Sequence, residues 1–231
     1  MKNFLISTQL ILLLFLCNTS TLTAQKKGKL TATEKENLKT ANVKLFYFEA
    51  PPIFIMTPQN AAGEGLIAEL TKSDDAKSLE KHRFYPNKLV QKNLDSLLKA
   101  EEVMNNVVSI KEPFEFQNRS QLKDLSKYND VEADYIMELI VPAGLWTASY
   151  LPTKWKKYWL SLGMEVRIIR KSDLTIIWKS NLGYGGLKDE RLKFHIDDLK
   201  ENGKEKISAM SEIVAFECSK LILKKYNKTK K

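Results

Sequence analysis

Apolar and polar residues alternate along the first strand of the stretch YWLSLGMEVRIIRKSDLTIIWKSN, residues 158–181. The even-numbered residues from 160 to 168 are apolar, and the odd-numbered residues between them are polar or glycine. A period of two predicts a strand with one buried face. The turn residues KSD at 171–173 and the apolar run LTIIWKS after them predict the second strand of a β-hairpin.

Other segments predict the rest of an α/β or α+β fold. The run NVKLFYFEA is rich in strand-forming residues and ends at Pro51 and Pro52. Pro86 suits a first helical turn, and leucines at 89, 94, 97 and 98 form one helix face. Further predicted elements are a short helix at 61–71, a strand at 106–110, a short helix with Ser120 as N-cap, a strand at 134–141, a polar loop at 181–203 and a helix at 203–225. This order predicts a mixed sheet with a C-terminal β-hairpin, helices packed on the sheet, and a long C-terminal helix.

The N-terminus predicts export from the cytoplasm. Lys2 precedes the apolar run Leu10–Leu16, which is too short to span a bilayer, and a small polar segment ends at Ala24. We expect a signal peptide over residues 1–24, cleaved after Ala24, and a periplasmic or secreted protein. Lipidation at Cys17 is the alternative, which we disfavour because Leu16 stands where such signals place a small residue. We assign 25–41 to a linker, 42–225 to a single domain and 226–231 to a disordered basic tail.

The net charge of +9 lies in the two termini. Residues 1–29 contain four lysines and residues 224–231 contain five, without an acidic residue in either segment. The remaining 28 basic residues match the 28 acidic ones, so the central part of the chain is electrically balanced. This distribution does not favour nucleic-acid binding, although the tails can contact anionic lipid or polymer.

Residues for catalysis or metal binding are scarce. His82 and His195 are the only histidines, and Cys218 is the only cysteine left after cleavage. Zinc sites take three or four such ligands, so we expect no metal, no cofactor and no intramolecular disulfide. Cys218 lies on an apolar helical stripe, which predicts a buried thiol. The sequence HIDD places Asp197 and Asp198 after His195, and we interpret these acids as the start of the final helix.

An aromatic and basic cluster is the best candidate for a binding surface. It contains Trp146, Tyr150, Trp155, Lys156 and Trp159. We place the first three in a loop with a proline, while Trp159 lies at the start of the long strand. Tryptophan and tyrosine beside lysine suit contact with a protein partner or a lipid interface. The alternative, which burial tendencies favour, is that the rings fold back onto the sheet.

The strands resemble those of a group of bacterial envelope proteins. The stretch EADYIMELIV, the hairpin and the closing helix are similar to lipoproteins that activate penicillin-binding proteins, curli-secretion lipoproteins and auxiliary lipoproteins of envelope transport systems. Ala133, Asp134 and Tyr135 open the first strand, and Trp178 ends the hairpin. The resemblance covers about residues 85–225 and implies a non-catalytic domain that docks on envelope components. The segment PPIFIMTPQNAAGEG, the tryptophan-rich insertion and the weak lipidation signal depart from the group.

Three functional hypotheses follow. The first is an exported, envelope-associated binding module, without catalysis, that docks on a protein partner or a membrane surface. The second is a lipid-handling or membrane-contact protein, in which the apolar segment Ile53–Met56 and the aromatic loop form an apolar mouth. The third is a hydrolase of an envelope polymer that uses His195 and nearby acids. The oligomeric state is left open by all three.

Overall fold

The structure is a computed structural model that describes residues 30–56, 77, 79, 81–115, 122–150, 157–186, 189–195 and 197–228. The helices are α1 (Ala32–Thr40), α2 (Pro86–Ala100) and α3 (Asp198–Lys228), and 3-10 turns occupy Ser126–Tyr128 and Glu190–Leu192. The strands are β1 (Asn42–Tyr47), β2 (Phe54–Ile55), β3 (Asn106–Ser109), β4 (Tyr135–Ile140), β5 (Trp146–Tyr150), β6 (Lys157–Arg170), β7 (Thr175–Gly185) and β8 (Lys193–His195). The predicted helix at 61–71 and the predicted N-cap Ser120 lie outside the described residues.

Strand β6 is the centre of the eight-stranded mixed sheet. One of its edges pairs with β5 near its start and with β4 near its end. The other edge pairs with β8 and then with β7. Beyond β4 lie β1 and β3, and beyond β5 lies β2, all in parallel pairs. Every other strand therefore runs opposite to β6, and the predicted mixed sheet, hairpin and long final helix are confirmed.

The helices cover one face of this sheet. The even-numbered residues of β6 from 158 to 168 are buried on that face, as the alternation predicts. Helix α2 packs on β1, β3 and β4, and α3 packs on α2, β6 and β7. Two polar residues fix α2 to the strands: Asn87 donates to the Phe48 carbonyl at 2.5 Å, and Gln91 donates to the Leu45 carbonyl at 2.7 Å.

Helix α1 lies in the segment 25–41, which we predicted to be a linker. Thr31 and Glu34 form a capping box at its start, and Leu38 is wholly buried in the main core. Leu30 and Leu38 are the only large apolar residues of this segment and show no helical period, so the periodicity did not reveal the helix.

The chain after the hairpin also differs from prediction. We predicted a polar loop at residues 181–203. In the structure, β7 continues to Gly185, and Lys193–His195 form β8. Helix α3 has a non-helical residue at Asn202, so its regular part begins near the predicted start at Gly203. It extends past 225 to Lys228, and Tyr226, which we had assigned to a disordered tail, packs edge-on against Trp178.

A glycine-lined groove on the open face of the sheet

The sheet face opposite the helices is covered over only part of its area. Its covered part carries a second small core of Phe46, Tyr128, Ile136 and Ile169, beneath the segment that contains the 3-10 turn at Ser126–Tyr128. Toward the start of β6 and the end of β7, small residues replace large ones on this face. The described part of the chain leaves the sheet backbone uncovered there.

A shallow groove of about 350 Å³ lies on this open part. We call it the glycine groove. Its floor is the backbone of β6 and β7, because glycines occupy facing positions on the two strands: Gly163 pairs with Gly183, and Ser161 with Gly185. Leu145, from the turn between β4 and β5, and Trp159 form its sides. A glycine in a strand interior often marks a place where another backbone or a ligand approaches closely.

The space available for a side chain differs among the glycines of the groove. A Cβ on Gly185 would lie 2.2 Å from the Ser161 Cβ, so the close approach of β7 to β6 requires glycine there. A Cβ on Gly163 would lie 3.0 Å from the Leu145 Cβ. By contrast, a Cβ on Gly183 would meet two backbone atoms at ordinary van der Waals distances, the Leu162 carbonyl oxygen at 3.4 Å and the Gly163 Cα at 3.7 Å. The fold therefore leaves space for a side chain at position 183. The lack of a side chain there keeps the groove open.

The chemistry of the groove is that of a contact surface. Thr147 Oγ1, from β5, lies 2.7 Å from Ser161 Oγ and 3.2 Å from Ser149 Oγ, so the hydroxyls of Thr147 and Ser161 line the groove and that of Ser149 lies beside them. Leu145 is 45% exposed, although it is a large apolar side chain. None of the described residues that line the groove is an acid, a histidine or a cysteine. The groove can provide apolar contact and hydrogen bonds.

A buried ion cluster borders the groove on the same face. Glu138 is wholly buried; its Oε1 accepts a hydrogen bond from the Tyr128 hydroxyl at 2.6 Å and lies 3.3 Å from Lys127 Nζ. The guanidinium of Arg167 lies 3.6 Å from Glu138 Oε2 and donates to Glu165 at 2.5 Å. These five residues connect the sheet to the segment that covers it.

The ion cluster shifts the acidity of its members. Burial lowers the pKa of Lys127, although Glu138 opposes that shift. Burial and the neighbouring Glu138 carboxylate raise the pKa of Tyr128. Burial alone would raise the pKa of Glu165, but hydrogen bonds from Lys179 and Arg167 lower it below its ordinary value. The cluster thus holds Glu165 as a carboxylate between two cations.

The predicted binding residues do not form one loop. Trp146 and Tyr150 lie in β5, where the sequence WTASY alternates, and both side chains are buried in the main core. The loop that we predicted for them is therefore wrong, because a partner strand, β6, is available to pair with this short segment. Trp159 lies in the glycine groove. Trp155 and Lys156 lie outside the described residues, and partner binding by this set stays a prediction.

The remaining candidates occupy structural positions. His195 Nδ1 lies 3.1 Å from Asp197 Oδ2 on the surface, and Asp198, the first residue of α3, accepts a hydrogen bond from the His195 backbone N–H at 3.1 Å. Cys218 is wholly buried, as predicted, and burial raises the pKa of its thiol to about 12. In the part of the chain that the structure describes, no group of three or more His, Cys, Asp or Glu residues could hold a metal ion.

Part of the apolar segment Ile53–Met56 is buried, and the mouth that we predicted from it and the aromatic loop stays a prediction, because residues 151–156 lie outside the described residues. Ile53 and Ile55 pack into the main core with Trp146. Over the residues with described positions, no helix has both the length and the apolar character to cross a membrane.

No family model and no curated protein matches the chain. Similar solved structures include a Xanthomonas campestris protein of family-model DUF330, 7% identical over 79% of this chain and 81% of that chain, with a TM-score of 0.42. A minor lipoprotein from Acinetobacter baumannii is 12% identical over 82% of this chain and 90% of that chain, with a TM-score of 0.39. The PelC dodecamer from Paraburkholderia phytofirmans is 11% identical over 83% and 89%, with a TM-score of 0.35. These identities and TM-scores are too low to assign a family or a function.

The sequence resemblance was to lipoproteins of the bacterial envelope, and lipoproteins are among these structures. The particular groups named from the sequence, the penicillin-binding-protein activators, the curli-secretion lipoproteins and the transport auxiliaries, stay a prediction.

Proposed function

We propose that this chain is an exported, envelope-associated binding module without catalysis of its own, and that it docks on a protein partner through the glycine groove. The observation that carries the proposal is the open position at Gly183, where the fold accepts a side chain and the strand nevertheless has none. A partner segment can lie against the bare backbone there. Leu145 and Trp159 then provide the large apolar contacts that dominate binding at protein interfaces.

In-cell photocrosslinking tests this function. A photoreactive amino acid replaces Leu145, whose exposed side chain borders the groove, and adducts are identified by mass spectrometry. We expect one discrete protein adduct. Gly183→Val should remove it, because the new side chain fills the groove.

Asn181→Val is the matched control. Asn181 is exposed on the same strand, two residues away, and does not line the groove. The adduct should persist in this variant. An adduct that survives Gly183→Val, or the absence of any protein adduct, would refute docking through the groove.

Among the described residues, no specific contact supports the two alternative functions, a lipid-handling protein and a hydrolase. A lipid-handling mouth would need Ile53 and Ile55 at a cavity, and they lie in the core. A hydrolase would need His195 beside a nucleophile, and its recorded side-chain partner is the carboxylate of Asp197.

A further inference from the structure

Strand β7 forms one edge of the sheet, because β6 is its only partner strand among the described residues. The Gly163 N–H donates to the Leu145 carbonyl on the far side of β6, so Gly163 and the facing Gly183 exchange no hydrogen bonds. The N–H and C=O of Gly183 therefore point away from β6. Those of Asn181 and Gly185 do the same, because these groups alternate in direction along a strand.

Two contacts agree with this orientation. Lys225 Nζ, from α3, donates to the Asn181 carbonyl, which therefore faces the outside of the sheet. The Gly186 N–H donates to the Leu160 carbonyl of β6 at 3.2 Å, as expected for the residue after an outward-facing Gly185. We call the row of outward-facing groups from Asn181 to Gly185 the β7 edge. Among the described residues, no hydrogen bond other than that of Lys225 reaches this row.

The two halves of β7 differ in their protection from further pairing. Sheet edges are commonly protected by lysines and by β-bulges. The half nearer the hairpin turn has both, since the bulge of the register lies there, Lys179 follows it, and Lys225 occupies the Asn181 carbonyl. The half that ends at Gly185 has an unshifted register, and glycines occupy its last two outward-facing positions. Another strand can therefore join this second half.

The glycines also give a joining strand room for a large side chain. At Gly183 the open face of β7 has space and no side chain to fill it. Adjacent strands lie about 4.8 Å apart, so a joining strand would lie about 10 Å from β6. On β6, Gly163 likewise has no side chain, and Leu145 lies beside it. A large apolar side chain of the joining strand can therefore lie across both glycines and contact Leu145.

The charges beside the β7 edge favour an acidic segment. Lys179 pairs with Glu165 at 2.7 Å, but this carboxylate also accepts a hydrogen bond from Arg167 at 2.5 Å. Lys225 has its contact with the Asn181 carbonyl, and no carboxylate of the described chain forms an ion pair with it. A carboxylate of a joining strand can pair with Lys225 at this end of the edge.

We propose that the partner of the glycine groove binds as an extended segment that adds a strand to the β7 edge. The inference rests on the proposed function and specifies the form of the partner. The segment has a large apolar residue opposite Gly183 and an acidic residue near Asn181. Main-chain hydrogen bonds to the edge provide affinity in this mode of recognition, and the side chains provide specificity.

Proline at position 181 tests the strand addition. Asn181→Pro removes the outward N–H and places ring carbons in the path of a joining strand. Its bonds to β6 are unaffected, because the pair of Asn181 and Glu165 exchanges none. Asn181→Val lacks the same side chain and keeps the N–H. In-cell crosslinking from Leu145 should give about fivefold less adduct in Asn181→Pro, the effect of one lost hydrogen bond, and an unchanged yield in Asn181→Val.

Hydrogen exchange is a second measurement, independent of how well the proline variant folds. The Leu145 adduct of the unaltered chain is purified, and its amide exchange is compared, residue by residue, with that of the free chain. The amides of Asn181, Gly183 and Gly185 should exchange at least about tenfold more slowly in the adduct, because the joining strand bonds them. The intervening amides of β7, which face β6 in both samples, are the internal control.

Reversing the charge of Lys225 tests the acidic residue of the partner. Lys225→Glu should lower the yield of the Leu145 adduct about fivefold or more, because it repels a carboxylate near Asn181. Lys224→Glu is the matched control, since it makes the same change in net charge at the adjacent, exposed position of α3. Its adduct yield should stay within about twofold of that of the unaltered chain.

The outcomes separate this inference from the proposed function. Equal adduct yields in Asn181→Pro and Asn181→Val, without slower exchange at the β7 edge, would overturn strand addition and leave docking in the groove intact. Equal effects of Lys225→Glu and Lys224→Glu would overturn the acidic partner. An adduct with the mass of two copies of this chain would overturn a separate partner protein. The absence of any protein adduct would refute the proposed function, and this inference with it.

Discussion

Replacing Glu138 tests whether the ion cluster is as deeply buried as the structure shows. Glu138→Met keeps a side chain of similar length and removes the charge that faces Lys127 and Arg167. Removing one partner of a buried ion pair costs about 3–5 kcal/mol, because the other charge stays desolvated. Arg167 keeps Glu165 at 2.5 Å and the Leu122 carbonyl at 2.5 Å, so we expect the lower end of that range, about 3 kcal/mol.

Urea unfolding followed by tryptophan fluorescence measures this change in the free energy of unfolding. For a domain of this size, 1 kcal/mol corresponds to about 2–4 °C in melting temperature, so a parallel thermal melt should fall by about 6–12 °C. The informative companion is the triple variant Lys127→Met, Tyr128→Phe, Glu138→Met. It replaces Lys127, Tyr128 and Glu138 with apolar residues and leaves Arg167 paired with Glu165. We expect it to be more stable than Glu138→Met alone, as is found when whole buried ion groups are replaced.

Two results would refute this reasoning. A loss below about 1 kcal/mol in Glu138→Met would mean that water or a rearranged partner reaches the site. If the triple variant is no more stable than Glu138→Met, then altered packing, and not an unpaired charge, causes the loss in the free energy of unfolding.

Three further predictions concern other parts of the fold. Trp146→Ala should cost about 3–5 kcal/mol in urea unfolding because the ring is wholly buried, whereas Trp159→Ala, in the groove, should cost about 1 kcal/mol or less. Glu165 has a lowered pKa in the folded state, so its stabilisation is present above its unfolded pKa of about 4.5 and is lost as the pH falls through the folded value. The urea concentration at the unfolding midpoint should therefore fall less steeply with decreasing pH in Glu165→Gln than in the unaltered chain. The raised pKa of Cys218, about 12, predicts that a maleimide at neutral pH labels this thiol only in the presence of denaturant, and native labelling would contradict its burial.

The elements that were predicted correctly are those with a pattern in their own local sequence. The alternation of β6 continues over nine residues, 160–168, and the leucines of α2 repeat at helical spacing behind a proline at the first turn. Such patterns need no knowledge of distant partners. Cys218 was placed correctly for the same reason, since its neighbours on the helical stripe are apolar.

The elements that were missed depend on partners far away in sequence. Helix α1 is held by Leu38 and by the contact of Lys35 with Tyr226, and neither leaves a local pattern. Strand β5 has only five residues and exists because β6 pairs with it. The continuation of β7 contains Gly183 and Gly185, and glycine disfavours strands unless a neighbouring strand holds them.

The glycine groove was missed because it combines two strands. The sequence GYGG at 183–186 falls within the polar loop that we predicted at 181–203. Counting outward from the turn, where Arg170 pairs with Thr175, would place Gly163 opposite Leu182. A β-bulge between Ile168 and Ile169 shifts the register by one residue and brings Gly183 opposite Gly163. The pairing of the two glycines therefore depends on a bulge that the alternation of the sequence does not reveal.

The position of β6 has a consequence for how the protein opens. Both edges of this strand are hydrogen-bonded, to β5 and β4 on one side and to β8 and β7 on the other. Releasing it requires all four partners to separate, so partial openings that spare β6 should dominate the native ensemble. Its amide hydrogens should exchange with deuterium only through global unfolding, more slowly than those of β2 or β3. Amide exchange along one strand would then report the stability of the whole fold.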